Sequence, residues 1–251
     1  MSASMPRKAR ALGIVFRATL AEILAGFRVP LGWVLLAAMS LLVAVWVSRA
    51  GGGGRIAMFA FSGNFSLLCV GDVPRGEYRS GRATALLQGG VPRGVHYLGV
   101  CLAWTAVLLG GDALFTVMIR SWEIFTGEPS LSLAGCVGIS LGFLPLVAIG
   151  WLLGLLLPSW SNVAAVVCLG LGLRMVEGYP ETFGPLSTLA ALLVGSSRTG
   201  SCTAAGIGTV SLVAESALRW GAFLAAGVLL AQSSFVGRTL GKACLRGDVR
   251  G

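Results

Sequence analysis

Charge is what this chain has least of. Only 12% of its 251 residues are Asp, Glu, Lys or Arg, against roughly 25% in an ordinary soluble domain. Between positions 129 and 173 there is no charged residue at all, a run of 45. A soluble fold of this size has too little polar surface to cover so much apolar side chain. The soluble-enzyme classes are therefore excluded, and an all-α polytopic membrane protein is expected. Histidine is nearly missing too. His96 is the only one, and no stretch carries the clustered His/Cys/Asp/Glu spacing of a metal site, so no metal ligand and no catalytic residue is assigned. The six cysteines are scattered through apolar segments and read as small buried side chains rather than a disulfide framework. Residues 1–28 hold five basic residues but no short apolar stretch with a small-residue cleavage site, so they do not read as a secretory signal peptide.

What is abundant agrees with these absences. Hydrophobic residues make up 55% of the chain and glycine contributes 37 positions, and the mean hydropathy is +0.84. Charge-free stretches mark the spans. Residues 29–48 suffice for ~30 Å of helix. Residues 56–71 make a short second span, and 94–111 a third that extends to Ile119 if Asp112 is tolerated. The long charge-free run must fold back once, and Pro158-Ser159-Trp160-Ser161-Asn162 is the break. That gives helix four at about 131–157, helix five from about 162, and a last span at about 218–236, six in all. Residues 178–214 hold two weaker apolar stretches, interrupted by Pro180, Pro185 and a Gly-Ser-rich segment. They read as short outer helices dipping part-way into the membrane against other helices, or alternatively as further spans.

Orientation follows from the basic residues. With both termini cytoplasmic, 13 of the 19 Lys and Arg fall inside and 6 outside, the bias expected of a multi-pass cell-membrane protein. This accounts for the net charge of +9 without nucleic acid as a partner. Residues 9–28 read as an amphipathic helix. Arg10, Arg17 and Arg28 lie within about 20° of one direction at ~100° per residue, and Leu12, Phe16, Leu20, Ile23 and Phe27 cluster within about 80° elsewhere. Such a helix lies in the inner interface with its arginines among anionic lipid head groups; a plain extension of the first span is the other reading. Pro30 favours a bend between the two helices.

The sizeable polar segment inside the molecule is the cytoplasmic loop 72–93. Ser80 through Leu87 read as two helical turns, closed by Gly89-Gly90 and stopped before Pro92. Leu86 and Leu87 are expected to be exposed there beside Arg79, Arg82 and Arg93. An exposed Leu pair ringed by arginines suits protein docking, and a solvated loop that only enforces topology is the alternative. Within this loop Glu77-Tyr-Arg-Ser-Gly81, then Leu86-Leu87, Pro92-Arg93 and Tyr97-Leu98-Gly99 resemble the permease subunit of ABC-2 type transporters. That family carries Glu-x-x-x-Gly-Thr, a Leu-Leu pair, Pro-x-x-Arg and Leu-Gly-Lys between its second and third helices. Here Arg82 stands at the Thr position and Val100 at the Lys position. The plan of six spans with an amphipathic first helix is also similar, over the single permease domain 1–251.

The resemblance implies that the loop carries a coupling helix seated in an ATPase subunit. Glu77, Arg79, Gly81, Arg82, Leu86, Leu87, Pro92 and Arg93 would make that contact, with the two leucines as apolar anchors. It implies two ATPase copies and a second permease copy or a sister permease as partners, with ATP and Mg held by the ATPases. No cofactor is expected in this chain. The nearest thing to a phosphate loop, Gly237 to Ala243, is one residue too short and lacks the final Ser or Thr.

Polar and small residues inside the spans complete the candidates. Asn64 sits near the middle of helix two, where it reads either as a pore-lining residue or as a helix-bridging hydrogen bond. Asp112 is expected near the outer surface, as an interfacial acid or part of a translocation path. Gly138, Gly142, Gly150 and Gly154 repeat at small-residue spacing on helix four and suit close helix packing, within the subunit or at a dimer interface. Trp151 and Trp160 suit interfacial anchoring. The leading functional expectation is export of an apolar or amphipathic substrate (a drug, a peptide or a lipid-linked molecule). A membrane-embedded lipid-modifying enzyme and a non-transporting immunity or assembly protein are the alternatives.

Overall fold

A computed structural model describes residues 5–48, 53–71, 73, 82–127, 132–194 and 208–233. Among these there is no strand. The helices in chain order are α1 (Met5–Ala25), α2 (Arg28–Ser48), α3 (Gly53–Val70), α4 (Arg82–Gln88), α5 (Arg93–Thr126), α6 (Leu133–Gly154), α7 (Ser159–Gly178), α8 (Pro180–Phe183), α9 (Pro185–Val194) and α10 (Gly208–Gln232). Six of them, α2, α3, α5, α6, α7 and α10, are long and apolar enough to cross a membrane. An all-α polytopic membrane protein is the architecture.

The spans form a centre and a periphery. About half of each span on α3, α5 and α6 is buried (56%, 50% and 50%), against 17%, 18% and 17% on α2, α7 and α10. α2 lies along α3, α10 lies along α6 and α5, and α7 leans on α6. The outward face of α2 exposes Val34, Leu35, Met39, Leu42 and Trp46, a surface that suits hydrocarbon and not water. At the centre Phe61 stacks on Phe115 with ring centroids 4.1 Å apart and on Phe65 at 5.4 Å, while Trp33 meets Phe61 edge-on. The Trp33 indole N–H donates to the Gly111 carbonyl at 3.1 Å.

Close approaches are made at glycines. A Cβ on Gly99 would lie 2.7 Å from the Val15 side chain, so α1 can rest on α5 only because that side chain is absent. Gly227 of α10 similarly receives the Tyr97 ring, and Gly150 of α6 receives Val70 and Val166. Gly150 therefore packs as expected, and Gly154 is buried. A Cβ on Gly138 or Gly142 would meet nothing within 4 Å. Their smallness is not used by the described residues of the subunit.

Several boundaries differ from expectation. The bend between α1 and α2 falls at Gly26-Phe27, not at Pro30. Pro30 sits in the first turn of α2, where its missing N–H would have had no intrahelical partner. The buried side of α1 centres on Val15, Thr19 and Ile23, while Leu12, Phe16 and Leu20 are half-buried and Phe27 is exposed. Here α5 rather than the periodicity alone selects the inward face. α5 is 34 residues long, far past position 111, and closes on Gly127, whose positive φ of 71° lets its N–H reach the Glu123 carbonyl. The turn before α7 comes at Pro158, as expected. In the 178–214 region α9 has 10 residues, about 15 Å, too short to span, and it packs along α7.

Candidate functional site

The coupling-type loop is the first candidate. α4 occupies Arg82–Gln88, and its last turn closes through Gly89 and Gly90, the latter at φ 84°. The Val91 N–H returns to the Leu86 carbonyl at 3.2 Å, so the short helix is folded back towards α5. Pro92 forms the N-cap of α5 and Arg93 its first residue. Glu77, Arg79 and Gly81 lie outside the described residues, and so does the basic C-terminal segment; of Arg82 only the backbone is described.

The expected exposure of the leucine pair is corrected. Leu86 and Leu87 are half-buried and pack against the apolar core, and Ala83 is fully buried. A two-turn helix lying on a bundle must turn its larger apolar residues inward, because that burial is what holds so short a helix in place. The outward side of this segment is formed by Ala85, Gln88, Gly89, Gly90, Pro92 and Arg93.

A buried polar cluster is the second candidate. Asp112 is 2% exposed, enclosed by the helices of the bundle. Ser62 of α3 donates from its hydroxyl to Asp112 Oδ1 at 3.0 Å, and Ser140 of α6 faces the same carboxyl. Three central helices thus converge on one acid. A turn further on, Thr116 donates back to the Asp112 carbonyl at 2.8 Å. Near the end of α5, Glu123 is also 2% exposed, 3.8 Å from Arg120, and its carboxylate lies over Gly54 of α3. Asp112 was a candidate in the sequence, but Ser62, Ser140 and Glu123 were not, because the sequence shows only isolated serines and acids in or beside apolar runs. Ser62 and Asp112 are 50 residues apart, and no local spacing pairs them.

The third candidate is the outer side of α3. Asn64 is exposed, and its side-chain amide donates to the Ala60 carbonyl of its own helix at 2.8 Å. It therefore bridges no helices through that bond, and it lines a cleft between α3, α6 and α7. Asn64 and Asp112 do not share a site: one is exposed on this cleft, the other buried in the α3–α5–α6 interior. At the end of α3 the final carbonyls lack intrahelical donors. The Trp151 indole N–H donates to Cys69 O at 3.1 Å and the Asn162 amide to Val70 O at 3.4 Å. Trp151 is fully buried and is no interfacial anchor, whereas Trp160 is exposed.

No family model, curated protein or solved structure matches the chain.

Proposed function

We propose that the chain is the membrane-spanning permease subunit of an ATP-driven exporter of the ABC-2 type. The observation that carries this reading is α4: a short helix between the second and third spanning helices, held by its apolar side and turning Ala85, Gln88, Pro92 and Arg93 outward. The Glu77-to-Gly99 motifs around it and the six spans support the same reading. In it the termini and the 72–93 loop are cytoplasmic, the protein sits in the cell membrane, and α1 lies in the inner interface with exposed Arg7, Lys8, Arg10 and Arg17 against anionic lipid.

ATP and Mg belong to two partner ATPase subunits, and a second permease copy or a sister permease completes the path. Closure of the ATPases pushes on α4. Because α4 is packed on the start of α5, the push reaches the central helices as a rigid-body displacement. The cargo is apolar or amphipathic, as befits spans with few intramembrane charges.

Co-expression with a candidate ABC ATPase, chosen from neighbouring reading frames, tests the proposal. Purification on a permease tag should retain the ATPase, and Ala85→Asp with Arg93→Glu should release it without lowering the melting temperature of the permease. Failure of the unaltered chain to hold any ATPase under gentle conditions would sink the reading.

A further inference from the structure

The apolar side of α1 is taken up by protein. Val15, Thr19 and Ile23 are buried, Leu12, Phe16 and Leu20 are half-buried, and the helix packs along α5. Among its described large apolar side chains only Ile14 and Leu24 stay exposed. The opposite side is basic. Arg10 and Arg17 lie about 160–180° from Thr19 around the helix, with Arg7 about 60° from Arg10, and all three are exposed. Glu22 is the one acid of α1. An interfacial helix ordinarily holds to a membrane by sinking an apolar stripe into it. On α1 that stripe faces α5, so charge is what is left to meet the membrane.

The course of α1 suits that contact. Arg28 and Arg93 open α2 and α5 at the same end of the bundle, because the α2–α3 pair carries the chain out and back. Val15 precedes Arg28 by 13 residues, ~20 Å of helix. Yet it meets α5 at Gly99, only six residues past Arg93, or ~9 Å. α1 therefore crosses the end of the bundle instead of running down its length. Gly99 is also close to the membrane boundary. Asp112 is the one charged residue between Arg93 and Arg120, and the 34 residues of α5 make ~51 Å, more than the ~30 Å hydrocarbon core. Exposed arginines spread from position 7 to 17 at that depth face the phosphate level of the bilayer.

We infer that anionic phospholipid is a ligand of this surface, its phosphates binding Arg7, Arg10 and Arg17 and thereby clamping α1 onto α5 at the Val15–Gly99 contact. Guanidinium groups pair with phosphate in a fixed two-pronged geometry. Without an anion the row holds three like charges within about 80° of one another. α4 is packed on the start of α5 as well, so the lipid clamp and α4 bear on the same first turns of that helix. A bilayer of neutral head groups leaves α1 free to lift off. This clamp rests on the interfacial placement of α1 proposed above and needs no ATPase.

The test uses the full chain in lipid nanodiscs, of phosphatidylcholine alone or mixed with phosphatidylglycerol, with hydrogen–deuterium exchange as the readout. Phosphatidylglycerol should slow exchange over 11–23 in α1 and over 94–102 in α5 together, and leave the amides around Phe65 in α3 unchanged. Raising the salt to ~1 M, where charges are screened beyond ~3 Å, should remove the effect. Arg10→Gln and Arg17→Gln should each cut the phosphatidylglycerol-dependent protection about 5-fold, with exchange in phosphatidylcholine unaltered. Equal exchange in the two lipids, or protection indifferent to salt and to both arginine substitutions, would overturn the proposal. So would protection of α1 that appears only when an ATPase subunit is added, since the row would then dock a protein. The lipid comparison contains no ATPase, so the clamp and the permease reading fail separately.

Discussion

Ser62 on α3 and Asp112 on α5 share a hydrogen bond of 3.0 Å deep in the bundle, with both residues almost wholly buried. In hydrocarbon neither group has water to fall back on, so the bond pins the two central helices in one register. Ser62→Ala should lower stability by ~1–3 kcal/mol, the cost of leaving a buried acceptor short of a donor. Asp112→Asn should cost less, because an amide oxygen still accepts. On an Asp112→Leu background the Ser62→Ala change should add little, since its partner is already gone. Thermal melting of the four purified variants checks this, and additive losses would show that the pair is not coupled.

Gly227 and Gly138 make opposite predictions although both are single glycines in apolar helices. A Cβ on Gly227 would run into the Tyr97 ring, while one on Gly138 meets nothing within 4 Å. Gly227→Ala should therefore destabilise the chain by ~1–3 kcal/mol through overpacking of the α5–α10 contact. Gly138→Ala should leave the subunit unchanged or stabilise it by up to about 1 kcal/mol, the helix preference of Ala over Gly. If Gly138→Ala and Gly142→Ala instead weaken self-association on size-exclusion chromatography at unchanged melting temperature, the open glycine face is where two copies of the chain meet.

These two cases also mark what was legible in advance. Charge-free length located the six candidate spans and Pro158 the turn into α7, because a membrane span needs only length and apolarity. The last is the exception in its bounds, since α10 begins at Gly208, ten residues before the expected start and inside the stretch read as re-entrant, and carries Glu215 and Arg219. Gly89-Gly90 closed α4 where turn chemistry requires it. Which way a span faces was not legible. α5 and α6 are apolar all round, so periodicity carries no direction, and nothing in the sequence shows that α3 and α6 enclose Asp112. The glycine spacing on α6 likewise marked small positions without saying which of them meets a neighbour. Gly150 does, and Gly138 and Gly142 do not among the described residues.

On α4 the half-buried and exposed residues should separate folding from docking. Leu87→Asp puts a carboxylate against the core and should lower the melting temperature on its own, so any loss of an ATPase from that variant says nothing about contact. Gln88→Glu and Arg93→Glu alter only exposed side chains and should change stability by no more than about 0.5 kcal/mol. A fall in ATPase retention with these two, at unchanged melting, would assign docking to the outward side of α4. Retention unaffected by both would remove α4 from the contact.

The end of α3 is held by side chains from two other helices, and this makes its stability separable from the rest. Cys69 O takes the Trp151 indole N–H from α6 and Val70 O takes the Asn162 amide from α7. Trp151→Phe keeps most of the buried aromatic volume but removes the donor, so Cys69 O loses that partner in an apolar setting. A cost of ~1–3 kcal/mol follows, and it should appear first as local opening of the last turn of α3 rather than as global unfolding. Hydrogen–deuterium exchange should therefore speed up over 66–71 in Trp151→Phe while the amides around Phe115 in α5 stay protected. If exchange rises equally in α3 and α5, the Trp151 bond belongs to the common core and not to a separate clasp on α3.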